Sequence, residues 1–317
     1  MCRDPLDLMS QSTLRIATRK SPLALWQASH IREQLLQHWP SLQIDLVPLV
    51  TSGDQFLKNK LSATGGKGLF VKELEEALLE HRADIAVHSM KDVPATFPKG
   101  LSLSVICTRL NPWDALLCEK HSCFLHLPQG AVIGTASLRR QSQLLAIRPD
   151  LHILPLRGNL QTRLSKLHAG DFDAIVLAVA GLQRLGLNHL ITEVFSASQM
   201  LPACGQGALG IECRADDLPI LSLIAPLRDP LSTLCVNAER QVNALLGGNC
   251  HVPLAVYCQP IANSEVLLEA KVATPDGQTI ICNTQQGPEQ NAQKLADLCA
   301  RVLLDNGARE ILRDIPS

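Results

Sequence analysis

Aromatic residues are scarce in this chain: tryptophan, tyrosine and phenylalanine together make up 3% of its 317 residues. Proteins that bind single-stranded nucleic acid stack the bases on aromatic side chains, so this scarcity argues against such a partner. A strong net charge is also missing, because the formal charge is −1. An anionic ligand must therefore be bound by a local cluster of lysine and arginine rather than by the field of the whole protein. We expect a small-molecule pocket and no nucleic-acid partner.

Long apolar runs and metal-ligand motifs are absent as well. No run of about 18 apolar residues occurs, and the N-terminal segment carries Arg3, Asp4 and Asp7 where a secretory signal would be apolar. The 11 cysteines are scattered, without a Cys-x-x-Cys pair or partners at zinc-ligand spacing. We expect a cytoplasmic protein with no membrane span and no metal, whose first residue is either Met1 or Met9.

The length and the order of the patterns predict more than one domain. A chain of 317 residues exceeds what one hydrophobic core usually supports. A strand followed by a helix with Ser21 as N-cap opens a strand–helix alternation, which restarts after Pro112 and predicts two α/β units with parallel or mixed sheets. The predicted strands are 14–18, 44–50, 85–88, 131–134, 153–156 and 174–178, and the predicted helices are 21–38, 70–80, 137–147 and 160–169.

The last third of the chain follows a different order. Strands are predicted at 254–257, 266–272 and 279–282, between helices at 231–246 and 289–306. Strands that cluster between two helices indicate an α+β domain. The turn Pro275-Asp276-Gly277 predicts a hairpin between the last two strands.

Two segments of the first unit suggest an anion site. The glycine-rich turn Thr64-Gly-Gly-Lys-Gly-Leu-Phe70 brings backbone amides and Lys67 towards an anion, although it lacks the spacing of a nucleotide P-loop. Lys91 and Asp92 follow a buried strand, at the end where open α/β sheets place ligand crevices. The alternatives are a solvated surface turn and a solvated Lys–Asp pair, and we interpret His88 as a structural histidine.

Basic residues are concentrated in the second unit. Seven of them, against three aspartates, lie between 137 and 184: Arg139, Arg140, Arg148, Arg157, Arg163, Lys166 and Arg184. The planar fork of arginine suits the bidentate binding of carboxylates. Several carboxylates on one ligand are therefore the preferred interpretation for this cluster, whereas for Arg148 and Lys166 we prefer a solvated helix face.

One cysteine lies in a flexible context. The segment Gly247-Gly-Asn-Cys-His-Val-Pro253 places Cys250 in a loop after a helix, where an exposed thiol acts as a nucleophile or an attachment point. Any single one of the 11 cysteines has a low prior for such a role, and His251 is interpreted as an ordinary loop histidine.

Taken in order, these segments resemble the porphobilinogen deaminase family, also called the hydroxymethylbilane synthases, over nearly the whole chain. The stretches that carry the resemblance are Arg15-Ile-Ala-Thr-Arg-Lys-Ser-Pro-Leu-Ala-Leu-Trp26, Gly65-Gly-Lys-Gly-Leu-Phe70, Asp84-Ile-Ala-Val-His-Ser-Met-Lys-Asp-Val-Pro94, Gly134-Thr-Ala-Ser-Leu-Arg-Arg-Gln141, Leu156-Arg-Gly-Asn159, Leu201-Pro-Ala-Cys-Gly-Gln-Gly-Ala208 and the Cys250 loop.

The resemblance implies an α/β fold of three domains. Two α/β domains similar to periplasmic binding proteins, with mixed sheets, enclose a cleft, and a smaller α+β domain follows at the C-terminus. Domain 1 is discontinuous and carries the catalytic loop, domain 2 carries the basic face that binds carboxylates, and domain 3 carries the cofactor cysteine. The implied boundaries are 1–108 with 203–228, 109–202, and 229–317.

The resemblance also implies the chemistry. The family condenses four porphobilinogen molecules onto a dipyrromethane primer, releasing ammonia and then hydroxymethylbilane in tetrapyrrole (haem) biosynthesis. The primer is held through a thioether that maps onto Cys250, and Asp92 stabilises the cation formed as ammonia leaves. Each pyrrole brings an acetate and a propionate. The implied cofactor-binding residues are Lys91, Ser137, Arg139 and Arg140, and the implied substrate-binding residues are Arg19, Ser21, Lys67, Phe70, Arg157, Arg163 and Arg184.

Three positions depart from the family pattern. Asn249 precedes the cysteine where the family usually has glycine, and Ala255 also replaces a usual glycine. Ala63 stands where lysine is common, with Lys60 nearby. Because asparagine tolerates left-handed conformations better than most residues, attachment at Cys250 is still expected.

Two other functions compete with this one. A non-catalytic, two-lobed carboxylate-binding protein would need neither Asp92 nor a modified Cys250, and a nucleotide-dependent transferase would need the P-loop spacing that the turn at 65–68 lacks. The family expectation is a monomer that releases its product to the next tetrapyrrole-pathway enzyme. A covalent two-pyrrole increment in the intact mass distinguishes the three functions.

Overall fold

The computed structural model describes residues 13–51, 71–247 and 252–315. Its strands are β1 Leu14–Arg19, β2 Ile44–Leu49, β3 Ile85–Ser89, β4 Leu101–Ile106, β5 Asp114–Leu117, β6 Val132–Gly134, β7 His152–Leu154, β8 Ala174–Ala178, β9 Glu193–Val194, β10 Leu209–Arg214, β11 Leu254–Ile261, β12 Glu265–Ala273 and β13 Ile280–Pro288. Its helices are α1 Pro22–His38, α2 Lys72–Leu79, α3 Leu138–Ile147, α4 Leu160–His168, α5 Val179–Arg184, α6 Leu218–Ile224, α7 Pro230–Leu245, α8 Ala292–Leu303 and α9 Arg309–Arg313.

The strands form three sheets, of which the two larger follow one plan. The first has the order β2-β1-β3-β10-β4 and the second the order β7-β6-β8-β5-β9. In each, three strands run parallel, and the fourth, β10 or β5, is antiparallel to both of its neighbours. The third sheet, β11-β12-β13, is antiparallel throughout. The predicted class, two mixed α/β sheets with a smaller C-terminal α+β part, is confirmed.

The chain divides into two compact units. The first holds the described residues up to Arg109 together with Ala208–Thr233, and the second holds Leu110–Gly207 together with the described residues from Leu234 onward. The second unit thus contains both the second and the third sheet. The division into three domains with boundaries at 108/109, 202/203 and 228/229 stays a prediction.

In the first unit, alternate residues of each strand face opposite layers. Ile16 belongs to a core shared with α1 and α6, whereas Ala17 belongs to a core with Leu74 and Leu78 of α2. Period-two alternation in a strand produces this division. The first sheet is therefore buried on both faces.

In the second unit, apolar side chains cover the second sheet on both faces and the third sheet on one. Ile133 and Ile175 belong to the cores on opposite faces of the second sheet. On the third sheet, Ala296, Cys299 and Leu303 of α8 lie in a common core with β11 and β12. The spacing of these three residues places them on one face of the helix.

Four strands were not predicted, namely β4, β5, β9 and β10. β5 begins with the buried Asp114, and β10 contains the buried Glu212 and Arg214. In β5 and β10, charged residues interrupt the apolar run by which a buried strand is recognised, so tertiary pairing rather than pattern determines these two strands. The last predicted helix begins at Ala292, after a short 3₁₀ turn, and its continuation is interrupted at Gly307, where φ is +99°.

Within the described ranges, no helix combines the length and apolar character needed to span a membrane. None of the nine cysteines that the structure describes is in a disulfide.

Candidate active site

The C-terminal ends of β1 and β3 meet at one edge of the first sheet. These strands are parallel neighbours, with Ile16 paired to Ile85. β1 ends at Arg19, and Ser21 then caps α1 by accepting a hydrogen bond from the Ala24 amide at 3.3 Å. β3 leads into the Met90–Asp92 turn. The fold therefore brings four of the predicted site residues to one edge: Arg19, Ser21, Lys91 and Asp92.

Burial of one neighbouring residue and a hydrogen bond to another hold the turn that carries Asp92. Met90 is buried, and Gln27 of α1 donates a hydrogen bond to the Ser89 hydroxyl at 2.8 Å. Asp92 is exposed, and its carboxylate accepts no hydrogen bond from the described residues. Lys91 is half-buried. A fixed backbone thus presents a carboxylate that is available to a ligand.

Close packing against β10 fixes the same turn. A Cβ added at Gly210 would overlap the Met90 sulfur and would lie 2.7 Å from Leu103 Cδ1. A larger residue here would require the Met90 and Leu103 side chains to move. Sequence reasoning missed Gly210 because β10 was not recognised as a strand.

A buried titratable cluster lies beneath the sheet edge, between the sheet and α2. His88 Nε2 and Glu212 Oε2 are 2.8 Å apart, and both side chains are buried. Glu212 Oε1 is buried without a hydrogen-bond partner among the described residues. Burial and the nearby Glu212 raise the pKa of Glu75 to about 7. His88 is a satisfied structural histidine, in agreement with its interpretation from sequence.

In the second unit, two predicted arginines converge on a buried aspartate that sequence reasoning missed. Asp114 is fully buried at the start of β5. Arg139 Nη1 donates to Asp114 Oδ2 at 2.8 Å, and Arg140 donates to Oδ1 from Nε at 3.0 Å and from Nη2 at 2.7 Å. Gln206 Nε2 adds a hydrogen bond to Oδ1 at 3.1 Å. An acidic residue at the head of an apolar run was the only available signal.

This cluster keeps an excess of positive charge. Two guanidinium groups share one carboxylate, and burial lowers the pKa of Arg139. Arg139 also donates from Nη1 to the Leu201 carbonyl at 2.7 Å, while its Nε and Nη2 donate to none of the described residues. Donors therefore remain on a rigid, cationic group, which suits an anion.

Ser137 and the start of α3 add neutral donors beside these arginines. Ser137 is the half-buried N-cap of α3, and its hydroxyl makes no cap hydrogen bond. The first amides of the helix therefore lack a side-chain acceptor. A helix N-terminus with unsatisfied amides favours negative charge.

The other predicted arginines of this unit occupy different settings. Arg184 is buried and donates from Nη2 to the Gly207 carbonyl at 2.8 Å. Arg163 donates from Nε to the Gly158 carbonyl at 2.9 Å. Arg157 is exposed and forms no ion pair with a described residue. Gly158 has φ of +117°, which turns the chain between β7 and α4 and separates Arg157 from the helix.

The sequence predicts that Arg148 lies on a solvated helix face, but the structure places its side chain in an ion pair. Its side chain is 17% exposed and pairs with Asp150 at 2.7 Å.

Three of the predicted site residues, Lys67, Phe70 and Cys250, lie outside the described residues, as do Lys60, Ala63 and Asn249. In the part of the chain that the structure describes, no group of three His, Cys, Asp or Glu side chains is arranged to hold a metal ion.

Comparisons with known proteins give a consistent result. The chain matches the family model "Porphobilinogen deaminase, dipyromethane cofactor binding domain" over residues 14–222. It matches "Porphobilinogen deaminase, C-terminal domain" over residues 233–305. It is 58% identical to the porphobilinogen deaminases of Legionella pneumophila strains Paris and Lens, over 309 residues that make up 98% of this chain and 100% of each relative.

The solved structures that the chain matches are more distant in sequence. One is the VFT2 domain of BvgS from Bordetella pertussis, with 16% identity, coverage of 70% of this chain and 89% of that chain, and a TM-score of 0.44. Another is an ABC transporter periplasmic substrate-binding protein from Coxiella burnetii, with 14% identity, coverage of 72% and 97%, and a TM-score of 0.42.

Proposed function

This chain belongs to the porphobilinogen deaminase family, and from that premise we propose which of its residues carry the reaction. The chain is a transferase, a hydroxymethylbilane synthase of tetrapyrrole biosynthesis, with porphobilinogen as its substrate and dipyrromethane as its cofactor. The observation that carries this function is the match of both family models together with 58% identity over nearly the whole chain. A non-catalytic carboxylate-binding protein is not favoured.

The charged side chains of the second unit fit a dipyrromethane. The group consists of two pyrroles that each bring an acetate and a propionate, so it is strongly anionic. Among the described residues, Arg139 and Arg140 share only Asp114 as a buried counter-charge, and Ser137 offers a hydroxyl beside them. When bound, the group supplies the free pyrrole carbon from which the chain of pyrroles is extended. We assign its carboxylates to Ser137, Arg139 and Arg140, together with Lys91.

Asp92 is the proposed catalytic residue. Its exposed carboxylate accepts hydrogen bonds from pyrrole N–H groups and stabilises the positive charge that develops on porphobilinogen as ammonia leaves. The support for this role is that no described residue donates to this carboxylate, while Met90 and Gln27 hold the backbone beneath it. A carboxylate that is held in place before the charge develops costs little reorganisation.

The remaining basic residues bind substrate carboxylates in our proposal. Arg157 is supported by its exposure, and Arg19 by its place at the end of β1 beside the Asp92 turn. We propose Cys250 as the point of thioether attachment. The proposed substrate-binding residues are Arg19, Ser21, Lys67, Phe70, Arg157, Arg163 and Arg184.

The setting of the enzyme in the cell is also a proposal. We propose a cytoplasmic monomer, without a nucleic-acid or membrane partner, that releases its product to the next enzyme of the tetrapyrrole pathway. The scattered cysteines support a reducing compartment, since none of those described is in a disulfide. Sedimentation at micromolar concentration tests the monomer, and a dimer would contradict it.

One experiment tests the function and the attachment together. The purified chain is expected to consume porphobilinogen with release of ammonia, and its intact mass should carry a two-pyrrole increment. The Cys250→Ser variant should lose both, whereas Cys282→Ser, at an exposed cysteine of β13, should keep both. An active chain without the increment, or an active Cys250→Ser variant, would contradict the proposal.

A further inference from the structure

The tip of the β12–β13 hairpin packs against the backbone of α3. Gly277 is buried in this turn with φ of +72°. A Cβ added there would overlap the Ser142 carbonyl oxygen, and it would lie 2.6 Å from the Ala146 amide nitrogen. The contact is between backbone and backbone, so no flexible side chain can move aside. The turn and the helix are therefore in a fit that tolerates only glycine.

Hydrogen bonds within the turn hold its shape independently of α3. Thr274 Oγ1 donates to Asp276 Oδ1 at 2.5 Å, and the same Asp276 oxygen accepts from the Gln278 amide at 3.1 Å. The Thr279 amide donates to Thr274 Oγ1 at 3.1 Å. These bonds lie within the turn and use no group of α3. The turn thus acts as a fixed surface on which the helix rests.

The side chain of Gln141 forms a second contact between α3 and the turn. Gln141 Nε2 donates to the Pro275 carbonyl at 3.1 Å. Gln141 directly follows Arg140, and the Ser142 hydroxyl donates back to the Arg139 carbonyl at 3.2 Å. Two of the residues that touch the turn, Gln141 and Ser142, are therefore adjacent to, or bonded to, the two arginines that hold Asp114.

β11 supports the arginines by an independent route. Ala255 and Tyr257 pack on Leu201 and Trp113, and the rings of Trp113 and Tyr257 are 5.0 Å apart. The Leu201 carbonyl accepts the hydrogen bond from Arg139 Nη1. Trp113 immediately precedes Asp114. The third sheet thus contacts residues next to the arginine cluster through both its hairpin turn and its first strand.

We propose that the Thr274–Thr279 turn is a positioning element that sets the placement of Arg139 and Arg140 by fixing α3. The proposal rests on the function assigned above, in which these arginines bind carboxylates of dipyrromethane. Because α3 is a single rigid helix with a rise of about 1.5 Å per residue, a displacement at Ser142 reaches Arg139 almost undiminished. Displacements of about 1 Å are large on the scale of binding geometry. The turn itself touches neither substrate nor cofactor.

A matched pair of glycine variants tests this. Gly170 has φ of +79°, close to that of Gly277, but a Cβ there meets nothing within 4 Å. Gly277→Ala and Gly170→Ala therefore introduce the same backbone strain, and only the first displaces α3. We expect Gly277→Ala to raise KM for porphobilinogen about tenfold, with a smaller change in kcat, and to lower the fraction of chains with the two-pyrrole mass increment. Gly170→Ala should match the wild type in both.

Two further variants keep the test decisive. Gln141→Ala removes the bond to Pro275 without adding bulk, and it should shift KM and adduct fraction in the same direction as Gly277→Ala, which also covers the case that Gly277→Ala fails to fold. Arg139→Gln tests the underlying function directly. If Arg139→Gln alters both readouts while Gly277→Ala and Gln141→Ala behave like Gly170→Ala, the positioning role is wrong and the function stands. If Arg139→Gln changes neither, the carboxylate-binding role fails, and the positioning role fails with it.

Discussion

At the scale of single residues, two aspartates that each lie at a strand end have opposite surroundings. Asp114 is fully buried and accepts hydrogen bonds from two guanidinium groups. Asp92 is exposed and accepts none from the described residues. The first charge is already compensated by the protein, whereas the second is available to a ligand. Loss of Asp114 should therefore affect stability, and loss of Asp92 should affect turnover.

For Asp92, the change Asp92→Asn keeps the size of the side chain and removes its charge. We expect kcat to fall by about 10² to 10⁴, the range typical of removing a group that stabilises charge in the transition state. The midpoint of thermal unfolding should be unchanged, because no described residue forms a hydrogen bond with the Asp92 side chain. Asp216→Asn, at an exposed aspartate of the same unit, is the control. Turnover within threefold of the wild type would refute the catalytic role.

For Asp114, the change Asp114→Asn leaves two buried guanidinium groups without a counter-charge. Breaking a buried pair by removing one partner costs about 3–5 kcal/mol, because the remaining charge is uncompensated. Urea unfolding should show a loss of this size. Asp171→Asn, at an exposed aspartate of the same unit, should change the free energy of unfolding by less than about 0.5 kcal/mol. A similar small effect for Asp114→Asn would mean that the cluster is not a buried ionic one.

For Glu75, the raised pKa of about 7 predicts a pH-dependent stability. The ordinary value is 4.5. Between these values the unfolded chain has released the proton and the folded chain still holds it, so stability falls as pH rises through this window. The groups that face Glu75 are Glu76 on α2, His88 on β3 and Glu212 on β10. β4, which also packs against α2, carries no charged residue.

The test for Glu75 is Glu75→Gln, which stays neutral at every pH. Relative to the wild type, its free energy of unfolding should rise between pH 5 and pH 8 by up to about 3 kcal/mol. Glu76→Gln, one residue further on the same helix, is the matched control because Glu76 is 47% exposed. Urea unfolding at four pH values measures the difference. A constant difference between Glu75→Gln and the wild type would show that Glu75 does not titrate in this window.

At the scale of elements, local signals predicted the helices that begin at a capping residue, whereas they missed strands that carry buried charges. Ser21 and Asn159 accept hydrogen bonds from the amides three residues on, as N-caps do, and α1 and α4 begin directly after them. β5 and β10 went unrecognised because Asp114, Glu212 and Arg214 are buried only through tertiary partners. The same reason explains the site: Lys91, Asp92 and the arginines carry local signals, whereas the counter-charge Asp114 is identified only in three dimensions.

β10 also supplies a prediction at this scale. Gly210→Ala would force Met90 to move, and Met90 begins the turn that carries Lys91 and Asp92. We expect kcat to fall about tenfold. Gly287→Ala, in strand β13, is the control, since its added Cβ meets Leu295 at 3.5 Å, an ordinary contact distance. Equal kcat values for the two variants would show that the packing under Met90 does not set the turn.

At the scale of the whole molecule, a net charge of −1 conceals a strongly uneven distribution. The sequence predicts the basic excess of the second unit by simple counting. Counting does not reveal that Asp114 neutralises only one of two buried guanidinium groups, nor that Arg148 is paired with Asp150. Like charges held together without compensation destabilise the compact state. The folded chain is therefore expected to be more stable when an anion occupies this position.

This expectation yields a prediction on removal of the cofactor. The Cys250→Ser chain, which cannot form the thioether, should begin to unfold several degrees below the wild type, because the anionic group that compensates Arg139 and Arg140 is no longer attached. Sulfate should partly replace it: an anion at 100 times its Kd contributes about 2.7 kcal/mol, which corresponds to about 4 °C for a chain of this size. Sulfate also stabilises proteins generally by exclusion from their surface. The comparison that isolates binding is therefore the Cys250→Ser chain with and without Arg139→Gln, each in sulfate and in chloride of equal ionic strength. The arginine variant should lose most of the excess stabilisation by sulfate, and an undiminished excess would place the anion elsewhere on the protein.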